Sequence, residues 1–305
     1  MGRFMRVTSV AAVIGALMAA GGGRVAGAST GRGRRAANGA NGATTGRTRR
    51  GGPELKSNVA LVIDAAQGET LYAKHSDQVA PIASITKLMT AMVVLDAQSP
   101  LDEAIEIERA DVDTRKHTRS RLPVGARLGR GDLLWVALMA SENRAAFALA
   151  RTYPGGTGAC LEAMNRKAQE LGMFRTRFTD PAGLSGENVS SAEDLSRMVL
   201  AATGYPPIRE ATTSSFHSVT LSNGRVLEFR NSDGLVNNRT WNIGLSKTGY
   251  INEAGRCLVL QAEIAARQIV IVLLDSWGKY TRLGDANRIR KWMEATLPPP
   301  GKGMS

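Results

Sequence analysis

Apolar and polar positions change period several times along this chain. Residues 59–65 and 70–74 carry short strand patterns on either side of Gln67-Gly68-Glu69, which reads as a hairpin turn. From Ser84 to Leu95 the period becomes helical. Ile85, Leu88, Met89, Met92 and Val93 share one face, and Ala91, Val94 and Leu95 leave little polar surface. A helix apolar on nearly all sides belongs in the centre of a fold. Further helical patterns cover 130–139, 144–151, 159–171 and 192–203, the last with Ser190 three residues before Glu193 as a capping-box signal. After Pro206-Pro207 the pattern turns strand-like at 216–221, 226–229, 243–247, 257–264 and 268–274. Ala265-Ala266-Arg267 is short enough to join the last two runs as an antiparallel pair. An amphipathic helix over 282–295 precedes Pro298-Pro299-Pro300. Strands at both ends with helices between predict an α+β protein. Its antiparallel sheet is assembled from both chain ends and flanked by helices, with a mainly helical lobe inserted.

The N-terminal part reads differently. Arg3 and Arg6 precede an apolar run over 7–20 that is too short to span a bilayer, and Ala26-Gly27-Ala28 supplies small residues before Ser29. Residues 1–28 therefore read as a cleavable export signal, so the protein is expected to leave the cytoplasm. Residues 29–56 are rich in Gly, Ala, Asn, Thr and Arg and read as a disordered tether, ahead of a folded domain over 57–297 and a tail over 298–305. The chain of 305 residues has a formal charge of +12, but ten of its 39 basic residues and one of its 27 acids precede Ser57. The folded part is thus only mildly basic. A nucleic-acid partner is not expected of it; the tether fits either weak contact with membrane or wall polymers or a plain spacer. Cys160 falls in a helical pattern and Cys257 in a strand pattern, so two buried thiols are expected, although an oxidising compartment permits a disulfide.

The chemistry-bearing residues narrow the options. His75, His117 and His217 form no H-E-x-x-H pair, no Cys/His cluster has zinc spacing, and neither a phosphate loop nor a G-x-S-x-G elbow occurs. Ser84-Ile85-Thr86-Lys87 opens the apolar helix, where residues three apart share a face. A poorly solvated Lys87 favours its neutral amine, which can take the proton of the Ser84 hydroxyl. Taken alone this spacing is weak, because Ser276-Trp277-Gly278-Lys279 repeats it. Ser141-Glu142-Asn143 lies between two helical patterns, where it can face a cleft or merely cap a helix. Lys247-Thr248-Gly249 ends a strand pattern. There a cation and a hydroxyl can hold a carboxylate, and the glycine admits a close approach by another chain.

The ordered set S-x-x-K, S-x-N, K-T-G resembles the penicillin-binding proteins and serine β-lactamases. The stretches around Pro81–Ala91, Ser141–Ala146, Asp180-Pro181-Ala182-Gly183-Leu184-Ser185 and Lys247–Tyr250 resemble the low-molecular-weight D-alanyl-D-alanine peptidases, over essentially the whole of 57–297. Trp241-Asn242-Ile243, Ala254-Gly255-Arg256-Cys257 and Asp275–Tyr280 point to the endopeptidase branch. So does a chain that ends at Ser305, ahead of the C-terminal β-rich domain of typical carboxypeptidases. The resemblance implies a β-lactamase/transpeptidase-like fold, no cofactor or metal and, with the export signal, a place in the periplasm. Peptidoglycan stem peptides would be the substrate and β-lactam antibiotics covalent inhibitors. It further implies Ser84 as nucleophile, Lys87 as general base, Ser141 as proton relay and Asn143 as a partner for the substrate amide. Lys247, Thr248 and Gly249 would line the substrate site, with the N–H groups of Ser84 and Tyr250 as oxyanion hole. A D-alanyl-D-alanine carboxypeptidase and a non-catalytic wall-binding or penicillin-sensing module are the alternatives. Glu162 and Asn165, three apart in a helical pattern, are expected at the surface. They do not supply the water-activating Glu-x-x-x-Asn of a class A β-lactamase.

Overall fold

A computed structural model describes residues 51–221 and 223–296; the segments expected to be an export signal and a tail, and most of the expected tether, lie outside them. The chain opens with β1 (Val59–Asp64) and β2 (Glu69–Lys74). Two very short pairs follow: β3 (Ala80–Pro81) with β6 (Val189–Ser190), and β4 (Ala104–Glu106) with β5 (Arg127–Gly129). The helices between them are α1 (Thr86–Asp96), α2 (Arg130–Met139), α3 (Asn143–Arg151), α4 (Gly156–Glu170), α5 (Ala192–Ala202) and α6 (Pro206–Thr213). The hairpin β7 (Phe216–Thr220) and β8 (Val226–Arg230) leads into β9 (Asn242–Ile251), β10 (Gly255–Ile264) and β11 (Arg267–Ser276), and α7 (Thr281–Thr296) closes the described chain. The main sheet is antiparallel in the order β2-β1-β11-β10-β9, so both chain ends build it, as the sequence predicts.

Period-two alternation assigns each strand residue to one of two cores. Val59, Leu61, Val259, Val270, Val272 and Leu274 face the helical lobe. Ala60, Val62, Leu258, Leu260, Ile271 and Leu273 face α7, which brings Ala286, Ile289 and Met293. The Asp285 carboxylate at the start of α7 receives the Lys56 and Ser57 N–H groups and the Ser57 hydroxyl, tying the two chain ends together. Leu55, which composition assigns to the tether, is buried in this second core, so packed chain begins a little before residue 57. Helix α1 is the central one: every residue from Thr86 to Val94 is buried. Each buried Leu, Met or Val there contributes roughly 1.5–3 kcal/mol, which offsets the cost of a lysine held among them.

Four local expectations change. Ser84 lies in a 3-10 turn, Ala83–Ile85, rather than in the first turn of the α-helix, because Ala83 takes a left-handed φ of 49°. Strand β9 continues to Ile251, so Lys247-Thr248-Gly249 lies inside it. Pairing of Thr248 with Leu258 and Tyr250 with Arg256 carries the strand through the glycine. Pro206-Pro207 starts α6 instead of ending helical structure, since proline at the first helical positions sacrifices no hydrogen bond. The cap of α5 is Ser191, which accepts the Asp194 N–H, while the Ser190 hydroxyl is spent on Thr176.

Candidate active site

The 3-10 turn, the α2–α3 connection and edge strand β9 converge at one end of α1. Lys87 is 1% exposed. Its Nζ donates to Ser84 Oγ at 2.8 Å, to Asn143 Oδ1 at 2.7 Å and to the Ala182 carbonyl at 2.7 Å. Burial pushes its pKa down to about 7, against an opposing pull from the Asp180 and Glu142 carboxylates. Facing it, Lys247 is also 1% exposed and donates to Ser141 Oγ at 3.0 Å and to the Thr248 carbonyl at 2.8 Å. Its pKa falls well below the ordinary range, first through burial, then through the nearby Lys87 and Arg282 cations. Thr248 Oγ1 shares a 2.8 Å hydrogen bond with Ser232 Oγ. Ser84, Lys87 and Asn143 thus form one hydrogen-bonded group and Ser141, Lys247 and Thr248 a second, and Gly249 packed against Ser84 N sets the two side by side.

Local sequence explains why the cluster holds its shape. Asp180 Oδ1 accepts the N–H groups of Ala182, Gly183 and Leu184, and Oδ2 that of Ser185, which aims the Ala182 carbonyl at Lys87. Gly183 has φ of 77°, and a Cβ there would lie 1.9 Å from the Ala83 carbonyl oxygen; only glycine fits. Ser141 itself has φ of 60°, a left-handed residue between α2 and α3 that turns its hydroxyl towards Lys247. Glu142, not Ser141 or Asn143, is the N-cap of α3 and caps it without a side-chain bond. Both Ser141 and Asn143 are thereby free to face the cluster.

Chemically, the arrangement offers a hydroxyl beside an amine that is neutral in a large fraction of molecules at neutral pH, and a second buried lysine across the cleft. That suits nucleophilic attack on an acyl substrate with an anionic group at Lys247. A sequence profile of the family described as D-alanyl-D-alanine carboxypeptidase matches residues 46–277. A Pseudomonas aeruginosa protein named D-alanyl-D-alanine endopeptidase is 49% identical over 242 residues, 79% of this chain and 78% of its own. The chain belongs to this family of serine D-Ala-D-Ala peptidases. A D-alanyl-D-alanine endopeptidase of Escherichia coli is 45% identical over 256 residues, covering 83% of both chains. The crystal structure of the Streptomyces K15 DD-transpeptidase superposes with a TM-score of 0.75 at 26% identity, over 80% of this chain and 99% of that one. The fold is accordingly that of the DD-transpeptidases and penicillin-binding proteins.

Within that fold, several residues differ from their expected surroundings. Gly249 admits a close approach, but by this chain's own 3-10 turn: a Cβ would lie 2.9 Å from the Ile82 carbonyl oxygen and 3.1 Å from Ser84 N. The Tyr250 side chain is half-exposed, bonded to Asn252 and covered by the Arg256 guanidinium. Asn143 Nδ2 donates to Thr118 Oγ1 at 2.9 Å, so both ends of its amide are engaged and it fixes Lys87. The second S-x-x-K match separates: Ser276 is fully buried against Ser57, while Lys279 is exposed. Glu162 is exposed as expected, but Asn165 is half-buried and clamps Phe178, accepting its N–H and donating to its carbonyl. Cys160 and Cys257 are free and buried, each thiol pushed up to about 12 by desolvation.

Sequence reasoning missed Asp180 and the Ala182 carbonyl as parts of the cluster, although a lone Asp followed by small residues and glycine is a turn signal. It also missed Arg282. This side chain is 9% exposed, and its Nε and Nη1 are buried without partners among the described residues. Burial, then Arg256, lowers its pKa, and it shares its field with Lys247. The Asp233 carboxylate opposes this shift at both Lys247 and Arg282. Among the described residues, no helix is long and apolar enough to cross a membrane.

Proposed function

We propose that the chain is a serine DD-endopeptidase that hydrolyses D-alanyl cross-links in peptidoglycan through an acyl-enzyme on Ser84, acting in the periplasm after export. One observation carries the reading: Lys87 Nζ, 1% exposed, bonds the Ser84 hydroxyl, and burial pushes its pKa down to about 7. The neutral amine takes the Ser84 proton as Oγ attacks the D-alanyl carbonyl carbon. The oxyanion is received by the N–H groups of Ser84 and Tyr250. Collapse of the tetrahedral intermediate breaks the C–N bond. Ser141, held by Lys247, gives its hydroxyl proton to the departing amine and takes in its place the proton that Lys87 removed from Ser84, so Lys87 is neutral again. Lys247, Thr248 and Arg282 hold the carboxylate next to that amine. Water then attacks the ester, with Lys87 again as base, releasing the D-alanyl carboxylate and restoring Ser84.

The preference for cross-links rests on the endopeptidase-named relatives, which are the most similar of those described above. Carboxypeptidase action on pentapeptides is the second reading, favoured by the pair of buried cations, which suits a terminal D-alanine carboxylate as well. β-Lactams enter the same site as acylating inhibitors. Intact-mass spectrometry with a labelled penicillin is expected to show one adduct, on Ser84, absent in Ser84→Ala and slowed in Lys87→Ala. Incubation with cross-linked dimers and with monomeric pentapeptides then separates the cuts. Trimming of the monomer alone would overturn the endopeptidase reading.

A further inference from the structure

A cavity of about 480 Å³ opens beside the catalytic cluster, and its rim includes Ser141 and Ser232. Those two hydroxyls touch Lys247 and Thr248 respectively. On the mechanism above, the amine leaves beside Ser141 with its carboxylate at Lys247 and Thr248. The cavity therefore lies on the leaving-group side of the scissile bond. A carboxypeptidase expels free D-alanine and needs no room beyond that point, whereas an endopeptidase expels the amine of a whole second stem peptide.

The walls carry a specific chemistry. Arg119, Arg121 and Arg230 line the cavity together with Phe229, and among the described residues none of the three forms an ion pair. The Arg121 guanidinium lies 5.7 Å from the Phe229 ring centroid and donates to the Glu228 carbonyl, which holds it in place. The acid in the lining, Glu142, is 7% exposed and accepts the Ser120 hydroxyl and the Arg121 N–H; its single negative charge faces three guanidiniums and leaves the lining net positive. The loop that carries Arg119 and Arg121 is fixed at its base. Asp113 accepts the N–H groups of Arg115, Lys116 and Thr118, and Thr118 in turn receives Asn143. Three guanidiniums without an ion pair, on a braced loop and a neighbouring strand, suit carboxylates, which they can grip in bidentate fashion.

Resting on the endopeptidase reading, we propose that this cavity is the subsite for the leaving strand, in which Arg119, Arg121 and Arg230 bind the carboxylates of the acceptor stem peptide and so set the preference for cross-linked substrate. The test uses the full mature chain and the variant Arg119→Gln/Arg121→Gln/Arg230→Gln. Its substrates are a cross-linked stem-peptide dimer with free carboxylates and the same dimer amidated, alongside a labelled penicillin. Exposed charge pairs of this kind predict a rise of about five- to tenfold in KM for the free-acid dimer. kcat and the penicillin acylation rate should hold, and the wild type's preference for the acid over the amide should disappear. The effect should shrink at high salt. An unchanged KM, or a parallel fall in penicillin acylation, overturns the proposal. If the wild type acylates with penicillin but leaves both dimers uncut, the endopeptidase reading itself fails. The subsite is then read by protection. A free-acid stem tetrapeptide should slow penicillin acylation of the wild type and not of the triple variant, and equal protection of both overturns the subsite.

Discussion

Lys87 and its neighbour Glu142 make the proton-transfer argument testable without removing any catalytic group. With a pKa of about 7, the neutral fraction of Lys87 is about 10% at pH 6 and about 90% at pH 8. Acylation by a penicillin, if it draws on that fraction, rises about ninefold across the interval and flattens above pH 8. The perturbation is Glu142→Gln. The Glu142 carboxylate accepts both its hydrogen bonds through Oε1, from Ser120 Oγ and Arg121 N, so an amide oxygen preserves them. What disappears is the negative charge that favours the protonated Lys87. The midpoint of the acylation profile therefore moves to lower pH, and at pH 6 the variant acylates faster than the wild type. Stopped-flow measurement of the second-order acylation rate constant from pH 5 to pH 9, at constant ionic strength, reads both midpoints. A wild-type midpoint above pH 9, or a variant midpoint displaced upward, would refute a neutral Lys87 as the base.

Two further perturbations probe the frame around it. Gly249→Ala places a methyl 3.1 Å from both Ala83 Cβ and Ser84 N. It is expected to cost about 1–3 kcal/mol of stability through overpacking and, by displacing the nucleophile turn, to slow acylation by more than about tenfold; thermal melts and penicillin kinetics measure the two separately. Lys87→Met tests the cost of the buried cation: the folded pKa lies below the unfolded value, so between about pH 7 and pH 10 the unfolded chain binds more protons and the wild type gains stability as pH rises. Methionine lacks that slope, so the gap in Tm between variant and wild type, followed over this range by calorimetry, should move in the wild type's favour with rising pH.

How much of this site was legible can be seen at individual positions. Ser84, Lys87, Ser141, Asn143, Lys247 and Thr248 all stood out as triplets, and the structure brings all six together. Arg282 carried no signal, because an arginine at the start of an amphipathic helix looks like any solvated charge until the fold buries it. Asp180 stood out only as the start of a stretch resembling the family; that its turn presents a carbonyl to Lys87 depends on a segment 95 residues away. The turn at Ala83 and the length of β9 were likewise out of reach, since each is imposed by a close contact, Gly183 on Ala83 and β10 on β9.

The alternation of strand residues, the predominantly apolar α1 and the split of strands between the chain ends were written in the amino-acid order, because period and burial are local properties of a chain that must cover its own apolar faces. The protonation of Lys87, the pairing of Lys247 with Ser141 and the arginine-lined cavity were decided by tertiary structure alone. Desolvation and electrostatic fields depend on which groups the fold excludes from water and which it sets side by side, and separation along the chain records neither.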